Sequence, residues 1–468
     1  MTRSGWLNAS RSNEVTRKAA VMAGFRPILF LLLAGSLGPS PLPSVALSYE
    51  GYLMFSVAVK TAKEAEKLMD ITEQFDGVTV MSEPLHGKIT LAVARDTLDK
   101  LRSEVTGHGM KINFVHGDLQ RLIESTTTRA AGPIDKRSML PSDTSVVDHR
   151  QYHRYPEIVT MLHQLASHNP DLMEVSRLLH RTHEGREVTY VQLHGNTSSR
   201  VDGTSDKPAV VIESGIHARE WITPAVQLWI VEALLAGYRS GDPTVTTMLN
   251  TFDWFIIPVT NPDGYEYSHA EDRLWRKNRR YISFECRGVD LNRNFDVAFN
   301  TTGISNNCRM STYLGFKAFS EPETSNVKAL VESLRDRLVA YLAIHSYSQL
   351  ILVPWGYSEK PLFPDNYEYM DRIAELMNSA ISVRHGTTYL KGQAYPLLGY
   401  AASGAGEDWA LKEVPGIFSI CMELRPSWND PKGFLLPPDE IVPSAEEYFD
   451  SLIVMAAELA KQAINSST

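Results

Sequence analysis

Cysteine is scarce in this chain: 468 residues hold three, Cys286, Cys308 and Cys421. None share the close paired spacing of a cysteine metal site, so thiolate-bound metal is excluded. Basic residues are outnumbered. With 46 Lys and Arg against 55 Asp and Glu the net charge is −9, and no basic stripe runs along the sequence. That argues against a nucleic-acid partner. Long low-complexity tracts are missing too. The apolar run at residues 27–34 is too short to span a bilayer as a mature helix, so no membrane anchor is expected. It follows Arg26 and precedes Pro39, Pro41, Pro43 and the small residues Ser44-Val45-Ala46. This is the layout of a secretory signal. Residues 1–48 are read as a signal region, with Met22 as an alternative start. Export makes Cys286 and Cys308, 22 apart, candidate disulfide partners, and leaves Cys421, inside an apolar run, as a buried free thiol. Sequons at Asn196, Asn300 and Asn465 fit a secreted surface.

What is present falls into two parts. Residues 49–125 read as a small α+β unit. Strand-like runs at 52–59, 89–93 and 112–115 alternate with helical patterns at 62–75 and 94–101, and Asp118 is placed to cap a further helix. None of these segments clusters His, Cys or carboxylates, so the unit is read as a folding or inhibitory module. A small, polar stretch at 125–138 follows and ends on Lys136-Arg137-Ser138, an exposed and cleavable linker. Arg129 is a second candidate for cleavage.

The remaining chain alternates apolar runs with helical patterns. Runs at 209–215, 252–259 and 338–344 read as strands, and another ends at Met422. The second closes on Asn261-Pro262-Asp263-Gly264, a turn signal. Near-continuous apolar strands separated by helices mean a sheet covered on both faces, with ligands held outside the carboxyl ends of its strands. His217, His345 and Glu423 each follow such a run.

His217-Ala218-Arg219-Glu220 is the one H-x-x-E among 14 histidines. Together with the distant His345 it supplies two imidazoles and a carboxylate, the donor set of a catalytic zinc with one position open for water. Zinc held this way brings bound water to a pKa of about 7 and polarises a carbonyl. Hydrolysis also needs a base that is not a ligand, and Glu423 is the candidate. A cation must steady the oxyanion, and Arg276 is available.

These segments resemble the zinc carboxypeptidases of the pancreatic A/B type. The resemblance is carried by His217-Ala-Arg-Glu-Trp221, Leu274-Trp-Arg-Lys277, Val289-Asp-Leu-Asn-Arg-Asn-Phe295, Ile344-His-Ser-Tyr-Ser-Gln349 and Met422-Glu-Leu-Arg425. It implies an α/β fold with a mixed central sheet flanked by helices on both faces, preceded by a small α+β prodomain with an antiparallel sheet. It implies one zinc ion on His217, Glu220 and His345, Glu423 as general base and Arg276 at the oxyanion. Arg219, Ser346 and Tyr347 become substrate-binding residues, and Asn292, Arg293 and Tyr400 bind the substrate's free carboxylate. An arginine fork reads a carboxylate bidentately, which makes such an enzyme an exopeptidase acting on peptide or protein C-termini. The resemblance pairs Cys286 with Cys308. It makes residues 49–137 a propeptide removed by a trypsin-like protease and 138–468 the catalytic domain of a secreted monomer. It places cis bonds at Ser346–Tyr347, Pro354–Trp355 and Arg425–Pro426, the last eased by its proline.

Specificity turns on Glu407, which matches the floor of the family's side-chain pocket. An acid there implies preference for C-terminal Lys or Arg, an apolar residue for aromatic or aliphatic ones. Tyr395 and Gly356 match the pocket walls; Tyr395 is bulky where basic-specific enzymes are small, so a narrowed pocket or a Glu407 turned aside is the competing expectation. A relative that binds C-termini without cleaving them would lack a ligand or the base, and this chain keeps them all.

Overall fold

The computed structural model describes residues 46–82, 87–130, 145–195, 200–201 and 204–466. The signal-like run, Lys136-Arg137 and the sequon at Asn196 lie outside the described residues.

The N-terminal unit is a four-stranded antiparallel sheet. Its strands are Tyr52–Ala58, Val78–Val80, Lys88–Ala94 and Lys111–His116, in spatial order second, third, first, fourth. The three-residue strand Val78–Val80 is too short to show a period in sequence. Helix Ala62–Thr72 lies where the pattern placed it, helix Leu98–Gly107 starts later than expected, and Asp118 caps helix Leu119–Thr127 by accepting from the Arg121 amide at 3.0 Å. Successive side chains of a strand point to opposite faces, and here both faces are used. Phe55, Val57, Ile89, Leu91 and Val93 form a core with Leu68, Ile71, Leu101 and Val105 of the unit's own helices. Met54 and Ala92, one residue out of phase, pack with Leu119 against Leu274 and Leu435 of the larger body.

That body is built on an eight-stranded mixed sheet. Its strands in chain order are β1 (Met173–Arg177), β2 (Thr189–Leu193), β3 (Ala209–Ser214), β4 (Asp253–Ile257), β5 (Leu338–Ser348), β6 (Leu350–Leu352), β7 (Leu390–Gly392) and β8 (Phe418–Ser427). The spatial order is β7-β6-β8-β5-β3-β4-β2-β1. The central four, β8, β5, β3 and β4, run parallel. Strands β3 and β4 are buried at every position, as continuous apolar runs require. Helices Ile222–Ser240, Tyr367–His385 and Ile441–Ser466 pack together over one face, and helix Gly406–Glu413 lies against β5 and β8 on the face of Tyr341. Cys286 and Cys308 are bonded, with Cα atoms 5.6 Å apart, and Cys421 is free and buried. The peptide bonds Ser346–Tyr347, Pro354–Trp355 and Arg425–Pro426 are cis. No helix of the described residues is long and apolar enough to cross a membrane.

Two expectations change. His345 and Glu423 do not lie past strand ends; both are inside strands, because β5 runs on to Ser348 and β8 to Ser427. The two residues are direct register partners, so one pair of backbones fixes their spacing. Asn261-Pro262-Asp263-Gly264 is not a free turn but the start of helix Pro262–Ala270. Asn261 Oδ1 accepts from the Gly264 amide at 2.9 Å, and Pro262 occupies the first turn, where its missing N–H costs nothing. The buried Asn261 amide also donates to the carbonyls of Ile216 and Lys277, each at 3.1 Å. It thereby ties the loop after β4 to the loops that carry His217 and Arg276.

The chain leaves β3 through Gly215, whose φ of +62° favours glycine. A Cβ there would meet the Pro258 carbonyl and Val259 Cα at 3.0 Å. Gly215→Ala is expected to destabilise the protein by about 1–3 kcal/mol and to weaken metal retention at His217, two residues on. Unfolding in denaturant alongside zinc content checks this; wild-type values in both would refute it.

Candidate active site

One loop and one strand bring the candidate ligands together. His217 and Glu220 follow β3, and Glu220 precedes helix Ile222–Ser240 by two residues; His345 comes from β5. All three are buried, and their donor atoms lie within 4.8 Å of one another. His217 Nδ1 is 2.8 Å from Glu220 Oε1, and His345 Nδ1 lies 3.1 Å from His217 Nδ1 and 3.3 Å from Glu220 Oε2. The far nitrogen of His217, Nε2, faces Asp290 Oδ1 at 3.2 Å. With its proton on that side, Nδ1 turns a lone pair inward. Inward lone pairs and a carboxylate converging on one point are a donor set that a cation satisfies. Burial alone would raise the Glu220 carboxyl, but His217 and His345 outweigh it and hold it well below the usual range.

Asp290 does more than orient His217. Its Oδ2 accepts from Arg276 Nε at 3.1 Å and Nη2 at 3.0 Å, and its Oδ1 from the Asn292 amide at 3.1 Å. Burial opposes the charge, yet Arg276 and Arg293 keep this carboxyl far below its ordinary range. Sequence reasoning gave Asp290 no role, although it lies inside Val289–Phe295; a carboxylate next to Asn292-Arg293 in that run was the available signal.

The remaining candidates, Arg219 excepted, line one cavity of about 90 Å³; Arg219 is not in the lining and sits behind Phe434, which is. Glu423 lines it, and burial pushes its carboxyl up to about 8 against the pull of His345. Asn292 holds the amide of Gly406 through Oδ1 at 2.9 Å. Arg293 is fixed by bonds to the carbonyls of Gly303 and Asn292 at 2.8 and 2.9 Å. Tyr400, Ser346 and Tyr347 also line the cavity, and the Ser346 amide donates to Glu220 Oε2 at 3.2 Å. Arg219 is buried with its guanidinium 4.1 Å from the Phe434 ring centre and reaches the Val80 carbonyl of the N-terminal unit at 3.5 Å.

Glu407 shares this lining with Leu352, Ala394 and Leu398, and with Cys421, which sequence reasoning placed only in the core. Its Oε2 is buried without a hydrogen-bond partner among the described residues, and burial holds its carboxyl above the usual range. Tyr395 does not narrow the cavity: it is absent from the lining and is 36% exposed. Gly356 does line it, held by Asp408, which accepts from its amide at 2.8 and 3.1 Å.

The sequence model of the family described as zinc carboxypeptidase matches residues 158–451, and the chain belongs to that family. It is 34% identical to "Zinc carboxypeptidase A 1" of Anopheles gambiae over 88% of this chain and 90% of that protein. It is 35% identical to "Carboxypeptidase B" of Astacus astacus over 66% of this chain and 97% of that one. The crystal structure of carboxypeptidase A from Helicoverpa armigera superposes with a TM-score of 0.74 at 28% identity, over 89% of this chain and 99% of the other. The protein is a zinc metallocarboxypeptidase, and its substrates are peptides with free C-termini.

Because Asp290 steadies both His217 and Arg276, Asp290→Ala is expected to weaken zinc binding by about 10–100-fold and to slow turnover even at saturating zinc. Competition with a chelating dye measures the first and steady-state kinetics the second. Unchanged zinc affinity would remove Asp290 as the support of the site.

Proposed function

We propose that this chain is the secreted, monomeric zymogen of a carboxypeptidase that removes C-terminal Lys and Arg, with residues 1–48 as signal region, 49–137 as propeptide and 138–468 as the enzyme. The observation that carries the specificity is Glu407, a buried carboxylate beside apolar walls with one oxygen unpartnered among the described residues. A buried carboxylate oxygen without a donor is costly, and an entering guanidinium or ammonium supplies one. The names of the relatives include both A and B types and leave the choice to the pocket.

When bound at His217, Glu220 and His345, zinc supplies Lewis acidity, lowers the pKa of the attacking water and favours the ionised form of Glu423. Arg293, Asn292 and Tyr400 hold the substrate's terminal carboxylate, so only a chain end fits. Arg219, Ser346 and Tyr347 hold the peptide upstream of the cut. Glu423 takes the proton of the attacking water and hands it to the leaving nitrogen. Arg276, aimed by Asp290, donates to the oxyanion that develops on the scissile carbonyl.

The zymogen reading rests on coverage. Ser82 of the N-terminal unit lines the same cavity as the zinc donors, and the Val80 carbonyl contacts Arg219. Tyr49 donates to Asp272 at 2.9 Å, beside the apolar seam of Met54, Leu119, Leu274 and Leu435. Arg129 is engaged, its Nε bonded to Asp148 at 2.6 Å while the Ala130 amide donates to the Arg150 carbonyl at 2.8 Å. A trypsin-like protease is therefore expected to cut after Arg137 first.

Four outcomes test this reading. Trypsin treatment should release activity on peptides ending in Arg or Lys, and release of Phe or Leu alone would overturn the basic preference. Glu407→Gln should lower kcat/KM for Arg-ended peptides by roughly 100-fold and leave Leu-ended ones nearly unaffected; equal losses on both would refute its role. Since burial holds the Glu407 carboxyl above the usual range, acidification neutralises it early. KM for Arg-ended peptides should then rise as pH falls, more steeply than for Leu-ended peptides. Glu423→Gln should cut turnover by about 10²–10⁴-fold with zinc retained, and near-normal turnover would disqualify it as the base.

A further inference from the structure

A second cluster of metal-competent side chains has no part in this reaction. His183, Glu321 and Glu323 each place one donor atom within 4.8 Å of the others. His183 sits between β1 and β2 and is pinned from both sides: Thr182 Oγ1 donates to Asp263 Oδ1 at 2.8 Å and the Glu184 amide to Asp263 Oδ2 at 2.7 Å. Glu321 stands at the N-cap position of helix Pro322–Ser333, its side chain making no capping bond, and Glu323 lies in the first turn. His183 Nε2 lies 2.9 Å from Glu321 Oε2. Asn278 Nδ2 donates to Glu321 Oε2 at 2.8 Å and to Glu323 Oε2 at 3.1 Å, and Arg280 Nη1 donates to Glu321 Oε1 at 2.9 Å.

Glu321 is thus well supplied with donors, but Glu323 is not. It is 0% exposed, and its Oε1 accepts no hydrogen bond from any other described residue. Leaving such an oxygen without a donor is expensive in a dry interior. One imidazole with two carboxylates suits a borderline divalent cation such as zinc, water completing the coordination. The His183 side chain, 28% exposed, opens the cluster to solvent.

We propose that His183, Glu321 and Glu323 form a second zinc site, structural and separate from the catalytic one. Its effect reaches the active site through Asn278, whose side chain bonds both carboxylates. The Asn278 backbone donates to the Val289 carbonyl at 3.0 Å, and its Oδ1 accepts from the Val289 amide at 2.8 Å. Val289 precedes Asp290, and Asn278 follows Arg276 by two residues, so a cation here braces the segment that holds the oxyanion arginine.

Equilibrium dialysis of the full chain against excess zinc, with metal measured by atomic emission, tests the site. The wild type should hold two equivalents, and His183→Ala and Glu323→Gln one each. His217→Ala, with the catalytic site impaired, should still gain thermal stability on adding zinc, and the double variant H183A/H217A should not. Glu323→Gln keeps shape and serves if His183→Ala fails to fold. A single equivalent in the wild type, or a second equivalent that both variants retain, would overturn the proposal and leave His183–Glu321 as an ion pair beside a protonated Glu323.

Discussion

The Asp290 carboxylate, buried between His217 and Arg276, is the constraint on which the rest of the site depends. One oxygen faces the imidazole of a candidate zinc ligand and accepts the Asn292 amide, while the other takes two bonds from the guanidinium. Such a group is stable in a dry interior only because its charge is matched on several sides. Its placement decides which nitrogen of His217 turns inward, where Arg276 points and how the Asn292-Arg293 turn is held. The candidate metal ligand, the candidate oxyanion arginine and the Asn292-Arg293 turn are therefore coupled mechanically, with Asn261 tying the loops of His217 and Arg276 together.

The N-terminal unit shows how a small sheet can be both a domain and a cover. Its strands alternate, sending Phe55 and Val57 into their own helices and Met54 toward Leu274 and Leu435. A sheet apolar on both faces is stable only when the second face is also covered. Removal of the unit would expose that seam on both partners. The polar contacts at its edges, Tyr49 with Asp272 and Val80 with Arg219, set its register over the cavity.

Much of the chemistry was legible in the chain. The unique H-x-x-E, the isolated His345 and the acid after an apolar run pointed to the candidate ligands and the candidate base, because metal and proton chemistry restrict residue type severely. The strand runs and the small N-terminal α+β unit were legible as well, since burial on both faces leaves a continuous apolar signature. Less legible were short or locally overridden elements. Val78–Val80 is too brief to show a period, and β5 and β8 extend past His345 and Glu423 because neighbouring backbones supply partners that no local pattern announces. Asn261 read as a turn residue because helix caps and turns use the same side-chain chemistry.

By itself, then, the sequence determined which reactive groups exist and that a covered sheet presents them. Only the tertiary structure decided how they are shared out. It made His345 and Glu423 register partners, set Asp290 behind two functional residues at once and moved Tyr395 off the cavity it was expected to crowd. It also buried Glu407 with an oxygen unpartnered among the described residues and drew His183 to Glu321 across 138 residues. Those outcomes depend on contacts between segments far apart in the chain, and local spacing carries no information about which distant side chain meets a buried charge.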